Sequence, residues 1–411
     1  MTFVCAAKGD NQKATFMQAS QPPPSELNQR LRRFREVLRD RKLSAALIVE
    51  ERNVRYLSGF TGEDSALLVT PHEKFILTDF RFVPEAQESA RGWQIVIDPQ
   101  GIMEKAGEIA LKERVETLAI EPGAMRLTDL KPLRKAARGI KLRQEHGMVG
   151  ELRLCKSAWE VQRIEAALRI QEACFLEFCA GLETREEGGR RREEVRGLYS
   201  PPSSLFPLPS SLTERDAAAR LRYMLVMAGA DDQAFDTLFQ IGINSSRPHG
   251  RPTHRALNGD ALVLFDWGAR LGGYHSDLTR TFFVGKIPSQ LRQIHRVVLD
   301  AQQAVVDAMR PGVELAALDK IAHEVVDRAG YKEYFCHSTG HGIGLSIHEP
   351  PSLSSHVKGA LKDGMVLAIE PGIYMPGRCG IRVEDLVLVT KSGARVLSGL
   401  KKGLRWDGSN E

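Results

Sequence analysis

The sequence predicts an α+β protein divided into two domains. Its 411 residues exceed the usual length of a single domain. Helical and strand-like segments alternate through residues 26–148, which is the pattern of a sheet flanked by helices. From about residue 156 the order changes: two helices precede a group of strands, and this order occurs twice. The second domain therefore contains two related halves, which we expect to pack face to face.

The first domain, residues 26–148, begins with a helix for which Ser25 is a plausible N-cap. The short apolar runs SAALIVE, ALLVT and KFILTD predict buried strands, and helices are expected near residues 103–113 and 128–138. Residues 1–25 lack the basic start and apolar core of a secretion signal. We expect them to form a disordered tail, within which Met17 is an alternative start.

The second domain, residues 156–402, carries recognisable helix starts. Ser157 with Glu160 resembles a capping box for a helix that runs to about Gly181. Thr213 with Asp216 makes a similar start for a helix that ends before a glycine. Two further helices are expected over residues 289–310 and 314–328. Strand-like runs follow each helix pair: FDTLFQIG and ALVLFDWGA first, then GIGLSIH, MVLAIEPGIY and IRVEDLVLV.

Residues 183–212, which join the first helix pair, differ from the short connector of the second pair. They are dense in charge and then rich in Ser and Pro, so they offer little apolar surface to bury. We interpret them as a disordered insertion. A partner-docking loop and an error in the gene sequence are the alternatives, since such long connections are uncommon inside compact domains.

Composition excludes several classes of function. Hydrophobic residues make up 42% of the chain and charged residues 27%, as in ordinary globular proteins. The net charge is only +5 and the two signs are interleaved, so no nucleic-acid-binding stripe is expected. No apolar run reaches membrane-spanning length. Six cysteines without a C-x-x-C pair favour reduced thiols, which predicts a cytoplasmic protein.

The segment DWGARLGGYHSDLTRTF predicts two neighbouring carboxylates. Asp266 and Asp277 flank Gly272-Gly273, a pair suited to a hairpin turn. A hairpin would bring the two strands together and point both carboxylates at one spot. Two aspartates in turns, without any site, are the alternative.

The segment CHSTGHGIGLSIHEPP places three imidazoles, of His337, His341 and His348, beside glycines that permit close backbone approach. A lone histidine is usually a satisfied polar residue, but three within twelve positions are harder to explain in that way. We therefore expect one of the three histidines to bind metal and the other two to contact the substrate.

Two glutamates end or interrupt apolar runs: Glu370 in AIEPGIY and Glu384 in GIRVED. A bare carboxylate in such a run is penalised unless a cation compensates it. The alternative is that both are edge residues paired with Arg382 or Arg378.

Together the candidates are two Asp, two Glu and one His. Oxygen-rich ligation with one imidazole suits Mn²⁺, Co²⁺ or Fe²⁺ better than a structural zinc ion. The formal negative charge of four carboxylates exceeds the charge of one divalent ion and equals that of two. That arithmetic favours a pair of ions roughly 3.5–4 Å apart, which can share a bridging hydroxide and polarise a substrate carbonyl.

These residues, in this order and in these motifs, resemble the creatinase/prolidase/methionine aminopeptidase superfamily, the M24 metallopeptidases, whose catalytic fold is called the pita bread. NVRYLSGFTG at residues 53–62 resembles the creatinase-like N-terminal domain of the Xaa-Pro peptidases. The resemblance covers nearly the whole chain, and it implies two divalent ions per subunit: Mn²⁺ first, with Co²⁺, Fe²⁺ or Zn²⁺ as alternatives. The implied metal ligands are Asp266, Asp277, His341, Glu370 and Glu384.

The resemblance also implies individual roles. Asp277 and Glu384 would bridge the ions, and Glu370 would also act as general base. Other residues of the site are implied to meet the substrate. His249 and His348 would contact the scissile peptide or its developing oxyanion. His337 would lie near the proline carboxylate, Arg382 would orient Glu384 or meet the substrate, and Tyr374 would form part of the pocket wall.

The implied activity is hydrolysis of the Xaa-Pro bond of dipeptides or short peptides, by a dipeptidase (prolidase) or an aminopeptidase P type enzyme. The implied assembly is a homodimer. The alternatives are a methionine-aminopeptidase-like exopeptidase, which usually lacks the N-terminal domain, and a metal-free pita-bread binding module. A creatinase-like enzyme, which works without metal, is disfavoured by the intact ligand set.

Overall fold

A computed structural model describes residues 21–98, 101–186 and 212–405. The chain forms two compact units that meet in sequence between Arg153 and Leu154. Most of the expected tail and of the expected insertion, residues 1–20 and 187–211, lies outside the described residues. Among the described residues, no helix is both long and apolar enough to cross a membrane.

The N-terminal unit is a mixed six-stranded sheet with helices. Its strands lie in the order β4-β3-β2-β1-β5-β6. β1 pairs antiparallel with β2 and parallel with β5, which places it at the centre of the sheet. The strands are β1 Ala45–Ile48, β2 Ala66–Val69, β3 Lys74–Thr78, β4 Gln94–Ile97, β5 Thr117–Ile120 and β6 Lys141–Gln144. The helices are α1 Pro24–Asp40, α2 Glu51–Ser58, α3 Val83–Ser89, α4 Ile102–Lys112, α5 Leu127–Ala136 and α6 Gly150–Arg153.

The start of α1 corrects one expectation. The helix begins at Pro24 with Pro23 as its N-cap residue, and no side chain caps it. Ser25 is therefore inside the helix. Proline is favoured at the first helical position because its φ is already helical and its missing N–H would be unpaired there.

The first half of the C-terminal unit has the expected helix starts. Ser157 and Glu160 exchange backbone and side-chain hydrogen bonds, and Thr213 and Asp216 form a capping box. The first helix continues to Glu186 rather than ending near Gly181. A single glycine inside a helix lowers its stability but does not end it. The elements are α7 Ala158–Glu186, α8 Glu214–Met227, β7 Asp232–Gln233, β8 Leu238–Ile241, β9 Ala261–Trp267, β10 Ala269–Leu271, β11 Tyr274–His275 and β12 Leu278–Val284.

The second half repeats the order of helix, helix and strands. Its strands form a five-stranded sheet, β14-β13-β15-β18-β19, and a separate β16-β17 hairpin. The elements are α9 Ser289–Ala308, α10 Leu315–Arg328, β13 Gly340–Gly342, β14 Glu349–Leu353, β15 Val366–Ile369, β16 Gly372–Met375, β17 Cys379–Arg382, β18 Asp385–Thr390 and β19 Gly393–Val396.

Three expected strands are interrupted. In MVLAIEPGIY the strand breaks at residues 370–371, between β15 and β16. In GIGLSIH only the first glycine continues β13, and residues 344–348 form bends. In IRVEDLVLV the strand breaks at residues 383–384, between β17 and β18. All three irregular stretches contain or adjoin predicted site residues, which is where departures from local regularity are expected.

Each half of the C-terminal unit has its own apolar core. Phe175, Phe265 and Trp267 stack in the first half. In the second half α9 and α10 bury one face each against β15 and its neighbours, through residues such as Val298 and Leu318. The strands that carry the candidate site residues are thus supported by a packed layer on each side.

Candidate metal centre

A hairpin brings the two aspartates together. Gly272 and Gly273 both have positive φ, at 58° and 78°, and they turn the chain between β10 and β11 as predicted. Asp266 on β9 lies opposite Thr279 on β12. Asp277 comes directly before β12, so both carboxylates lie at the same end of this strand pair. Both residues are buried.

His341 reaches the aspartates from β13. A Cβ at Gly342 would lie 2.5 Å from the carbonyl oxygen of Pro350, and one at Gly340 would collide with that of Ala368, so only glycine fits on either side of this histidine. His341 Nδ1 lies 3.0 Å from the Gly342 carbonyl oxygen and donates to it. Its Nε2 therefore carries the lone pair, and it lies 3.8 Å from Asp277 and 3.6 Å from Glu370.

The two glutamates are held through their backbones. The Glu370 N–H, just after β15, donates to the Thr339 carbonyl at 2.9 Å. The Glu384 N–H, in the break between β17 and β18, donates to the Thr279 carbonyl at 3.1 Å. The Thr279 hydroxyl then donates to Glu384 Oε2 at 2.8 Å. Each carboxylate is thereby fixed at a point where a strand stops.

Among the described residues, the ligand atoms of Asp277, His341 and Glu384 all lie within 4.8 Å of one another. Asp266 Oδ1, Asp277 Oδ1 and Glu384 Oε1 are buried without a hydrogen-bond partner. Thr279 gives its only hydroxyl proton to Glu384, so it cannot serve Asp266. Unpaired buried carboxylate oxygens that face one another are costly, and a divalent cation is the partner that such oxygens accept. The donor set therefore fits bound metal.

Arg382 is the buried cation of this site. It donates to Asp266 Oδ2 at 2.5 Å, to the Thr279 hydroxyl at 2.9 Å and to the Tyr374 hydroxyl at 2.8 Å. Its Nε lies 3.8 Å from Glu370. One guanidinium cannot balance four carboxylates. Arg382 touches Glu384 only through Thr279, so its direct partner is Asp266 rather than the glutamate.

Burial and mutual repulsion shift the carboxyl groups. Burial, followed by the charges of Glu384, Asp266 and Glu370, raises the pKa of Asp277 well above its usual value. Burial and Glu370 do the same for the pKa of Glu384. For Glu370 burial outweighs the opposing Arg382 and raises the pKa to about 7. Burial and the neighbouring His348 lower the pKa of His341 to about 4, so its imidazole is neutral.

A cavity of about 850 Å³ lies beside His341 and Glu370, within the C-terminal unit. His249, His337, His341, His348, Glu370 and Arg382 line its polar part. The His348 ring packs edge-to-face on His341, with 4.4 Å between centroids. Tyr374 bridges His337 Nε2, at 3.2 Å, and Arg382. The predicted substrate residues, apart from the buried Tyr374, thus all line one cavity together with two of the predicted ligands.

Two residues that support the site are not evident from the sequence. Thr279 contacts both Arg382 and Glu384, and its only signal is a hydroxyl two positions after Asp277 within an apolar strand. Glu214 is fully buried and accepts hydrogen bonds from the Ile241 N–H, the Asn244 amide and both the N–H and hydroxyl of Thr253. It fixes the loop that carries His249. No sequence pattern distinguishes it from a solvated glutamate in a first helical turn.

The chain is similar to known peptidases over nearly its whole length. "Metallopeptidase family M24" matches residues 162–391, and "Creatinase/Prolidase N-terminal domain" matches residues 30–155. The Xaa-Pro dipeptidase of Pyrococcus furiosus is 31% identical over 379 residues, which are 92% of this chain and 100% of that protein.

Solved structures agree with this similarity. An Xaa-Pro dipeptidase from Bacillus anthracis superposes with a TM-score of 0.82 at 29% identity, covering 92% of this chain and 99% of that one. An X-Pro aminopeptidase from Thermotoga maritima gives 0.78 at 27% identity, covering 89% and 98%. The predicted fold, a creatinase-like domain followed by a pita-bread domain, is confirmed.

The family match, the relatives and the fold agree with the gathered acidic residues and the single buried imidazole. Members of this family are peptidases that use divalent metal ions, and the unpaired carboxylate oxygens of this chain suit such ions. The chain belongs to metallopeptidase family M24.

Proposed function

We propose that this protein hydrolyses the Xaa-Pro bond of dipeptides or short peptides, using two divalent ions held by Asp266, Asp277, His341, Glu370 and Glu384. The observation that supports the proposal is the close group of Asp277, His341 and Glu384 beside a cavity lined by His341 and Glu370, with three carboxylate oxygens left unpaired. The relatives named Xaa-Pro dipeptidase support the choice of bond.

Asp277 and Glu384 would be shared by the two ions, and the close approach of their oxygens within one group supports this assignment. Asp266, His341 and Glu370 would complete the set of ligands. Four carboxylates balance two divalent ions, and their oxygens with one imidazole favour Mn²⁺, with Co²⁺, Fe²⁺ and Zn²⁺ as alternatives. When bound, such ions polarise a substrate carbonyl and lower the pKa of a water molecule.

The side chains around the cavity then have distinct tasks. Glu370 accepts a proton from the attacking water on a carboxylate oxygen and passes it to the leaving proline nitrogen. His249 and His348, on the exposed side of the cavity, donate to the substrate carbonyl oxygen as negative charge develops there. Arg382 holds Asp266 in place, and His337 with Tyr374 forms the polar wall beside it.

The cavity also suits proline. Leu154, Leu315, Val357 and Met365 give it an apolar wall, against which a pyrrolidine ring can pack without an unpaired N–H. An Xaa-Pro bond has no amide hydrogen, so a site that acts only on the carbonyl loses nothing there. A methionine-aminopeptidase-like activity is the weaker candidate, because the N-terminal domain match extends over residues 30–155.

The similarity to an X-Pro aminopeptidase leaves two substrate lengths to compare, the dipeptide and the longer peptide. A homodimer and a cytoplasmic location complete the proposal. The cysteines of the described residues, which are Cys155, Cys174, Cys179, Cys336 and Cys379, are free thiols, as a reducing compartment favours.

Hydrolysis of Ala-Pro, Ala-Pro-Ala and Met-Ala-Ser by Mn²⁺-loaded protein tests the proposal. We expect cleavage of the proline peptides and none of Met-Ala-Ser. Cleavage of Ala-Pro alone identifies a dipeptidase, whereas cleavage of both proline peptides identifies an aminopeptidase. If only Met-Ala-Ser is cleaved, or if the protein neither retains Mn²⁺ nor cleaves any of the three, the proposal is wrong; the last result favours a metal-free binding module.

A further inference from the structure

We propose that Gln302 and Lys402 form a clamp behind the metal centre that sets the positions of Glu370 and Glu384. Neither residue faces the cavity or has a place in the chemistry above. Both are positioning residues, which act through the backbone on the two carboxylates. The proposal rests on the proposed function, because it assumes that these carboxylates are metal ligands.

Gln302 connects the backbone segments that carry the two glutamates. It lies on α9 and is 1% exposed, on the helix face formed by Val298, Ala301 and Val305. Its amide nitrogen donates to the carbonyl of Ile369 at 2.9 Å and to that of Val383 at 3.2 Å. These are the residues directly before Glu370 and Glu384.

The position of those two carbonyls matters because a peptide unit is planar. The carbonyl of residue 369 belongs to the same rigid plane as the N–H of Glu370, and the carbonyl of residue 383 to the same plane as that of Glu384. One amide group that binds both oxygens therefore fixes the separation of the two planes. Val383 lies in the break between β17 and β18, where the sheet itself provides less support.

Lys402 fixes the other end of the amide. Its Nζ donates to Gln302 Oε1 at 2.7 Å and lies 2.5 Å from Asp385 Oδ2. The lysine thereby holds the amide with its nitrogen toward the two carbonyls, and it contacts the residue next to Glu384. The amide nitrogen of Gln302 donates both of these hydrogen bonds, and its amide oxygen accepts the one from Lys402.

The C-terminal segment that carries Lys402 is itself tied to the core. Arg280 donates to the carbonyls of Leu400 and Lys401, at 2.8 and 3.1 Å, and to Asp385 at 2.7 Å. The Phe283 N–H donates to the Leu404 carbonyl at 2.7 Å, and the Leu404 side chain is buried. The lysine is thus held in place rather than free to leave the amide.

Mn²⁺ titration calorimetry on the full-length protein tests the clamp, with variants Gln302→Met and Lys402→Met. Gln303→Met is the matched control, since Gln303 is the adjacent glutamine of α9, is exposed and bonds only Asp307 in the described contacts. We expect Gln302→Met to weaken Mn²⁺ binding by about 10–100-fold, as loss of a residue that orients ligands does. Lys402→Met should weaken it less, because the amide remains, and Gln303→Met should bind as the wild type does.

A melting curve of each metal-free variant separates positioning from a merely structural role. If Gln302→Met lowers the melting temperature but leaves Mn²⁺ affinity unchanged, the clamp is wrong. If Gln302→Met does not fold, Lys402→Met decides, because that side chain is 28% exposed and its loss leaves the core filled. Lys402→Met binding Mn²⁺ like Gln303→Met then overturns the clamp. A wild type that binds no Mn²⁺ overturns the proposed function instead.

Discussion

At the residue scale, the site is an arrangement of buried carboxylates whose desolvation and mutual repulsion a bound cation would offset. Asp277 and Glu384 are each at most 5% exposed, and each has an oxygen without a hydrogen-bond partner in the described part of the chain. Fixed, dehydrated ligands of this kind bind metal well because their desolvation and ordering are completed during folding. The same carboxylates repel one another when no ion is bound.

The first prediction concerns Asp277→Asn. Mn²⁺ at about 100 times its dissociation constant should stabilise the wild type by about 2.7 kcal/mol, raising its melting temperature by several degrees. The variant should show almost no rise and no peptide hydrolysis, because the shared oxygens are gone. Asp363→Asn, an exposed aspartate, is the control and should respond as the wild type does. An undiminished Mn²⁺ effect in Asp277→Asn would remove this residue from the ligand set.

A second residue-scale prediction concerns His295, which is buried and whose Nε2 has no hydrogen-bond partner in the described residues. Burial, and then the charge of Arg280, lower its pKa from 6.5 to about 4. As the pH falls below 6.5, His295 binds a proton in the unfolded state, whereas in the folded state it stays neutral until about pH 4. Stability is therefore lost across that interval, with the loss complete below pH 4.

His295→Leu removes this pH-dependent loss of stability. Between pH 7 and pH 5 the wild type should lose about 2 kcal/mol more unfolding free energy than the variant, because burial lowers the pKa of His295 from 6.5 to about 4. Urea unfolding at the two pH values, with a chelator present, measures the difference. His356→Leu, at an exposed histidine, should follow the wild type. Parallel losses in wild type and His295→Leu would show that the imidazole is not held neutral by burial.

At the element scale, helix α8 supports the site through its first residue. Glu214 accepts hydrogen bonds from Ile241, Asn244 and Thr253, and so it joins the helix start to the loop with His249. Its neighbour Thr213 caps the same helix, and the side chain of Thr213 bonds Asp216 rather than the loop. The two adjacent residues therefore separate support of the loop from support of the helix.

We predict that Glu214→Gln lowers stability by about 2–3 kcal/mol, because an amide cannot accept all four hydrogen bonds. It should also raise KM for Ala-Pro, since the loop with His249 loosens. Thr213→Ala should cost about 1 kcal/mol of stability, the usual effect of a lost cap, and leave KM unchanged. Chemical denaturation and steady-state kinetics of both variants measure this; equal effects on KM would show that the loop does not depend on Glu214.

Elements were predictable from sequence where local signals were strong. The capping pairs at Ser157 and Thr213 and the Gly272-Gly273 turn form as expected. The strand predicted in GIGLSIH does not form beyond Gly342, because an apolar run has no periodicity that separates a strand from an irregular buried loop. The position of a strand break depends on tertiary hydrogen bonds, such as that between Glu384 and Thr279, which a sequence does not display.

The site was predictable only as a set of residue types. Acidic residues inside apolar runs signalled Asp266, Asp277, Glu370 and Glu384, since burial of each demands compensation. Residues that hold the ligands gave weaker signals, because a buried glutamine or threonine is common in any core. Gln302 on the apolar face of α9 was not singled out by the sequence, because its partners come from segments 67 and 81 residues away.

At the scale of the whole molecule, each compact unit has its own apolar core, and the candidate metal centre lies entirely in the C-terminal one. In the N-terminal unit, Glu121 is buried and accepts hydrogen bonds from the backbone of Val49 and Glu50 and from the Asn53 amide. A bound metal ion is therefore expected to stabilise the C-terminal unit, whereas Glu121 stabilises the N-terminal unit.

Calorimetric melting should distinguish the two units. We predict that Mn²⁺ raises only the transition of the C-terminal unit, while Glu121→Gln lowers only that of the N-terminal unit, by about 1–3 kcal/mol for the hydrogen bonds it weakens. Limited proteolysis during heating can assign the two transitions. One transition moved equally by Mn²⁺ and by Glu121→Gln would contradict independent units.

We propose that five distant side chains hold two divalent ions beside the substrate cavity. Anomalous X-ray scattering from crystals of Mn²⁺-loaded protein tests it most directly. We predict two peaks roughly 3.5–4 Å apart, bounded by Asp266, Asp277, His341, Glu370 and Glu384. No peak within bonding distance of Asp277, His341 and Glu384 would contradict the account.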